Sequence, residues 1–365
     1  LNRYVFYVLW CDGITITGLL LYTLLLDERF NGSMMAIVIS AVSGMIFLVT
    51  MTKSLGYFPK QGLPEIFRMF LPAGARISLL IFFSIMTITK GCIMIGYAST
   101  FFNLYLTDVN TITIMVFIFL AVSWGATRSS KTILSTLEIV LFICIPLMYY
   151  AFTKAIFSQG IEWNSIKAMA DYAFIWPKWG TITAANSVFS GFVGLIVFNR
   201  VVPSKIKWKF TPIVLIVNLH ILVTGLIISI GIHGTYGVGN YIAPTYSALD
   251  SIGMMSGLFS RTIMPYFLIV LFLLLVYASV TIHVGLELLK GCFSMKFQNN
   301  LRKEQLLSWA ICCLFTIVTV IYFSTFTLKQ IINHTVNWLE LRFYTEFLMV
   351  ALVALFAVMK WKRKV

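Results

Sequence analysis

Apolar residues run in long unbroken stretches along this chain, separated by short clusters of charged and turn-forming residues. The stretches do not alternate with period two, as the strands of an outer-membrane barrel would. Most approach the roughly 20 residues that cross a bilayer as a helix. Reading the runs between breaks predicts ten transmembrane helices, at residues 4–24, 33–51, 77–105, 109–124, 132–153, 181–201, 210–232, 262–289, 305–324 and 343–359. The first opens at residue 4 without a signal-type cleavage site and reads as a retained helix. The expectation is an all-α membrane protein in which residues 1–365 form a single transmembrane domain.

Composition sharpens this. Of 365 residues 59% are hydrophobic and 11% charged, against about 25% charged in a soluble domain, which excludes a water-soluble globular protein. Lys and Arg outnumber Asp and Glu by 27 to 13, giving a net charge of +14. The excess is one-sided. One set of loops, from Arg3 through Lys53, Arg128, Arg200 and Lys290 to the tail Lys360–Lys364, holds nineteen Lys and Arg. The other set, Arg29, Lys154, Lys167, Lys178, Arg261, Lys329 and Arg342, holds seven, and Lys90 alone falls within a predicted span. Because positive loops stay on the cytoplasmic side, both termini are predicted to be cytoplasmic. Anionic lipid at that face accounts for the basic charge, so no nucleic acid is read as a partner. The six cysteines form neither a disulfide framework nor a CxxC metal pair. No cofactor and no metal is implied.

An internal repeat points to transport-like architecture. Two long connections, residues 52–76 and 233–261, fall on opposite faces, and each holds a proline able to start a surface helix, Pro64 and Pro244, 180 residues apart. The first and sixth predicted helices share glycine-bearing interruptions, CDGITITG at 11–18 and FSGFVG at 189–194, with Gly13 and Gly191 separated by 178 residues. Two landmarks with nearly one offset predict a five-plus-five inverted repeat, halves 4–153 and 181–359, with broken helices 1 and 6. A broken turn inside the membrane leaves backbone groups that ligand, ion, water or protein must satisfy. Half-helix N-termini there favour an anionic group and freed carbonyls a cation, which suits a zwitterionic amino acid. Gly13, Thr15, Thr17, Gly18, Phe189, Ser190, Gly191 and Gly194 are therefore the candidate ligand-binding residues, with Phe189 as a lid. The competing reading is that these glycines only let helices pack closely.

The layout, with TRSSKTILSTLEIVLFICIP entering the fifth helix and IAPTYSALDSIGMMSGLFSR before the eighth, resembles the amino acid-polyamine-organocation transporter superfamily. Within it the chain is most similar to the spore germination permease family. Glu138 matches an acidic residue that family tends to carry at the head of the fifth helix, whereas Ser135 stands where an arginine is common and GITITG replaces a cleaner Gly-small-Gly. The resemblance implies a membrane-embedded B subunit of a nutrient germinant receptor, with other receptor subunits as partners, in a bacterial plasma membrane or spore inner membrane. The alternative it carries is a proton-coupled amino acid transporter.

Ionisable residues inside the predicted spans are the candidates for ion or proton coupling. Asp12 lies about 12 Å and Lys90 about 20 Å from the same side at 1.5 Å per residue, and in this layout the third helix lies beside the first, so the two are placed to pair. Uncompensated charge at such depth costs several kcal/mol. Glu138 and His220 are the further candidates for coupling. His283 and Glu287 lie nearer the end of the eighth helix, where hydrogen bonding and basic loop neighbours offer a plainer account. No Walker loop, HExxH helix or TVGYG filter occurs, and an enzyme is not expected.

Overall fold

Each predicted apolar segment overlaps an apolar helix in the computed structural model, which describes residues 3–202, 211–253, 261–293 and 301–362. Lys205, Lys207, Lys209, Lys296, Arg363 and Lys364 of the basic loops, residue 210, and residues 254–260 of the motif before the eighth helix lie outside those described. In chain order the apolar helices are α1 (Arg3–Asp27), α2 (Ser33–Leu55), α3 (Ala73–Tyr105), α4 (Thr111–Ala126), α5 (Ser130–Ile156), α6 (Trp179–Phe189 with Phe192–Phe198), α7 (Thr211–His233), α8 (Ile263–Lys290), α9 (Leu301–Thr325) and α10 (Leu328–Lys362). Eight are individually long and apolar enough to cross a membrane, and α6 becomes a ninth if its two bent halves count as one span. At 16 residues, or about 24 Å, α4 is shorter than the rest. Large apolar side chains such as Phe142, Leu306, Ile317 and Ile321 are exposed on the outside of the bundle, as in an integral multi-pass membrane protein.

Local sequence sets the helix ends. Asn110 accepts a hydrogen bond from the Ile112 amide at 2.8 Å at the head of α4, and Ser129 caps α5 through the Thr132 amide at 3.3 Å. Gly32, at φ +83°, makes the tight turn between α1 and α2 in a left-handed conformation that favours glycine. Both proline-led surface helices are present, at Leu63–Phe70 and Pro244–Ser251. The first is tied down by charge: Arg200, just beyond α6, bonds Glu65 at 2.9 Å and Glu287 of α8 at 2.7 Å, and Lys290 bonds Glu287 at 2.9 Å.

Two expectations are corrected. The interruption in α1 is a π turn at Thr17–Leu21, and Ile16 and Tyr22 on either side keep right-handed helical dihedrals. The helix therefore continues. A π turn rotates the following face without freeing a run of backbone groups, and GITITG offers glycines but no proline to break the ladder. The second correction concerns α10, which starts at Leu328 rather than at residue 343. Charges at Glu340 and Arg342 mark a loop only if they face water, and Arg342 is buried inside the bundle. The break in α6 is where the glycines place it: its halves bend by 42°, and i→i+3 bonds replace the regular ladder, with Val193 N–H donating to Ser190 O at 3.1 Å and Gly194 N–H to Gly191 O at 3.2 Å.

α1 is the most enclosed of the eight uninterrupted spans and packs against α5, α6, α7 and α8. The most extensive helix pair is α3 with α8. Ser84 donates to the Gly285 carbonyl at 2.7 Å, and a Cβ added at Gly91 would lie 2.6 Å from Thr281 Oγ1, so small residues set that spacing as they do in membranes generally. The α1–α6 contact is equally close. A Cβ at Gly191 would lie 2.7 Å from the Leu9 Cα and 3.0 Å from its carbonyl oxygen, atoms that cannot rotate aside, whereas one at Gly18 would meet only the Tyr266 hydroxyl, at 3.2 Å. Gly191→Ala is expected to lower the thermal midpoint of the purified protein, reflecting about 1–3 kcal/mol of overpacking, while Gly18→Ala changes it far less. Equal midpoints would contradict direct α1–α6 backbone contact.

Candidate functional site

Four charged side chains meet where α1, α3, α6 and α10 converge. Asp12, Lys90, Arg342 and Glu346 are exposed by only 6%, 3%, 4% and 4%. Lys90 pairs with Asp12 Oδ1. Arg342 Nε donates to Glu346 Oε1 at 2.7 Å, an i,i+4 pair on α10. Ser190, at the α6 break, joins the two pairs: its hydroxyl accepts from Arg342 Nη2 and lies 3.0 Å from Asp12 Oδ2 and 2.7 Å from the Ser187 carbonyl. With one proton it can donate to only one of those two oxygens at a time. Arg342 Nη2 lies 3.9 Å from Asp12 Oδ2. Two acids and two bases sum to zero, the condition under which charge persists away from water. Rings flank the cations: Lys90 Nζ is 5.5 Å from the Tyr277 ring centre and the Arg342 guanidinium 5.6 Å from that of Trp338.

Around this set several buried polar atoms have no oxygen or nitrogen partner among the described residues: Thr15 and Thr17 Oγ1, Ser187 Oγ, Tyr277 OH, Arg342 Nη1 and Asn218 Oδ1. A hydroxyl in a helix ordinarily bonds the carbonyl one turn back, so Thr15 and Thr17 depart from habit. A cavity of about 20 Å³ is lined by Asp12, Lys90, Gly191, Gly194 and Tyr277, among others. That volume holds about one water molecule.

The structure thus brings Asp12, Lys90, Ser190, Gly191 and Gly194 into one cluster. Gly13 faces Asn218 and the Val188 carbonyl, close enough that an added Cβ would lie 2.7 Å from that oxygen. Gly18, one π turn on, stands apart beside Tyr266. Phe189 packs its ring on Gly44 of α2 and is buried. Glu138 pairs with Arg3 at 3.0 Å at the open end of α1, and His220 is exposed on α7, stacked on Tyr149 with ring centres 5.4 Å apart; neither joins the cluster. His283 links α8 to the α4–α5 turn through Ser130 at 2.8 Å and the Ala126 carbonyl at 2.9 Å. Sequence reasoning missed Arg342, Glu346, Tyr277 and Asn218. The signal for the first two was present, because RFYTE places opposite charges four residues apart on one helical face beside an apolar run.

No protein-family model matches the chain, and no curated protein sequence matches it. Among solved structures, the crystal structure of MhsT in complex with L-phenylalanine superposes with a TM-score of 0.58 at 12% identity, over 97% of this chain and 87% of that one. At that identity the likeness is one of fold, and the chain has a transporter-like membrane fold.

Proposed function

We propose that this chain is the membrane-embedded, ligand-binding subunit of a nutrient germinant receptor, built on an amino acid transporter scaffold and binding a small amino acid-like ligand between α1 and the α6 break. The carrying observation is a set of buried hydroxyls, Thr15 and Thr17 of α1 and Ser187 of α6, that have no oxygen or nitrogen partner among the described residues, Thr15 meeting only the Cys11 thiol. Buried polar groups cost free energy unless paired, and a ligand with polar ends supplies the pairs. MhsT, which shares the fold, was crystallised with an amino acid. The germinant role and the other receptor subunits rest on the resemblance to the spore germination permeases. The ligand leaves unchanged, since the role is recognition rather than catalysis.

The topology fits the same reading: ten crossings as a five-plus-five inverted repeat, both termini cytoplasmic, in a plasma or spore inner membrane. Its support is that α2 packs on the first half of α6 while α7 packs on α1, the exchange of partners that a two-fold relation between halves requires. A cavity of about 20 Å³ is far smaller than an amino acid, so binding must part α1 from α6. A ligand that favours the parted conformer shifts the equilibrium by its differential affinity, which is how a sensor passes binding on to its partners.

A second reading, proton-coupled amino acid transport, is favoured by the Asp12–Lys90 pair. A fixed ammonium beside the carboxylate takes the place a metal cation would occupy, and a proton can break the pair. Gene deletion with germination scored against single amino acids, and uptake measured in parallel, separates the two. The receptor reading expects lost germination to one nutrient with uptake unchanged; normal germination with lost uptake makes the chain a permease. Thr15→Val and Thr17→Val, each isosteric, are expected to weaken the nutrient response by roughly 2- to 10-fold, the size of one hydrogen bond. An unchanged response in both removes the site between α1 and α6.

A further inference from the structure

Taking the α1–α6 site as the ligand site, we infer that Arg342 is its carboxylate anchor, and that the ligand is recognised as a small carboxylate rather than as an amine. The inference rests on which donors and acceptors in the cluster are already committed. Each acid already carries a fixed cation, Asp12 through Oδ1 to Lys90 and Glu346 through Oε1 to Arg342, so a ligand ammonium would share its carboxylate with a resident cation. The cations differ. Lys90 directs its charge at Asp12, whereas the Arg342 guanidinium presents a rigid fork of five N–H donors. Its Nε is taken by Glu346 at 2.7 Å. Among the described residues Nη2 is held only by the neutral Ser190 hydroxyl, with Asp12 Oδ2 at 3.9 Å, beyond hydrogen-bond range.

Nη1 is buried and has no acceptor among the described residues, on a side chain exposed by only 5%. The Nη1–Nη2 end of the fork is the edge that a carboxylate engages with two parallel bonds. The Tyr277 hydroxyl, buried and without a partner among the described residues, is a further donor in the same cluster. The cavity is lined by Asp12, Lys90 and Tyr277, and parting α1 from α6 opens the Ser190 bridge between Asp12 and the fork. An incoming carboxylate then replaces the serine oxygen on Nη2 and adds Nη1. The ligand-bound cluster carries one net negative charge, which two cations and the water admitted between the parted helices offset. The acceptors around the cluster left unpartnered among the described residues, the Asn218 amide oxygen and the Thr15, Thr17 and Ser187 hydroxyls, are uncharged and bind an ammonium more weakly than a carboxylate does. The amine of an amino acid is therefore the dispensable end, and 2-hydroxy acids belong to the ligand class.

The test is binding to the purified full chain in lipid nanodiscs, by calorimetry and ligand-induced shift of the thermal midpoint. The probes are two matched sets: L-alanine, lactate, ethylamine and alaninamide; L-phenylalanine, phenyllactate, phenethylamine and phenylalaninamide. In the set that binds, the expected result is an amino acid and hydroxy acid within about tenfold of each other, with amine and amide weaker by roughly 10- to 100-fold, the size of a charge-assisted bond. Arg342→Lys, which keeps the charge and loses the fork, is expected to weaken the acids to a similar degree. The neutral double variant Arg342→Gln/Glu346→Gln leaves no uncompensated charge and guards against a folding defect, and is expected to abolish the preference for acids over amides. Amine or amide binding equal to that of the amino acid overturns the anchor while leaving an amino acid site standing. Hydroxy acids binding without amino acids would uphold the anchor and sink the amino acid reading. Failure of every probe in both sets counts against both.

Discussion

Two acids and two bases buried among hydrocarbon survive only as a closed, neutral set, and that requirement organises this fold. The desolvation of each ion is a matter of several kcal/mol, recovered only through good geometry and complete hydrogen bonding. Asp12 comes from α1, Lys90 from α3, Ser190 from the α6 break, and Arg342 and Glu346 from α10. Neither α1 nor α3 can leave its place without stranding a charge that the other supplies, while α10 carries its own Arg342–Glu346 pair and Ser190 of α6 ties the two pairs together. The cluster therefore does in the membrane what apolar collapse does in water: it names partners. Lipid tails are as apolar as leucine, so apolar contact alone would leave the pairing of α1 with α3 and α10 weakly specified.

The glycines and the charges work together. Gly191 lets the α6 bend lie on the backbone of Leu9, which carries Ser190 to Asp12, and without that approach the serine could not bridge the two ion pairs. The same closeness keeps the interior cavity to about 20 Å³. On the proposed receptor reading, a ligand must then exchange internal polar contacts for its own. Binding free energy and conformational change become one quantity, as a device that reports on a ligand needs. The α3–α8 pair, clamped by Ser84, Gly91 and Gly285, offers a rigid frame against which α1 and α6 can move.

Much of this was legible in the sequence, for identifiable reasons. Helix positions followed from apolar runs, since lipid permits few alternatives to a helix. The Asp12–Lys90 pairing followed from depth together with a layout that sets the third helix beside the first. The α6 bend was marked by Ser190–Gly191, and the surface helices by Pro64 and Pro244. The failures also have causes. In α1 the same small-residue pattern yields a continuous helix with a π turn, because glycine permits a break without requiring one. Arg342 was assigned to a loop because hydropathy scores a charge by its type and not by its partner, and Glu346, one turn away, is what brings it inside. Glu138 and His220 have the chemistry of coupling residues, but their helix faces turn them to Arg3 and to the outside.

The most direct measurement of the neutral-set principle is a double-mutant cycle on Asp12 and Lys90, read as unfolding free energy of the purified protein. If the four charges stand or fall together, Asp12→Asn and Lys90→Met each lose about 3–5 kcal/mol, because each leaves an uncompensated buried charge. The double variant, neutral again, is then expected to recover most of that loss. Losses that simply add, or single variants as stable as the parent chain, would contradict a fold organised around these charges.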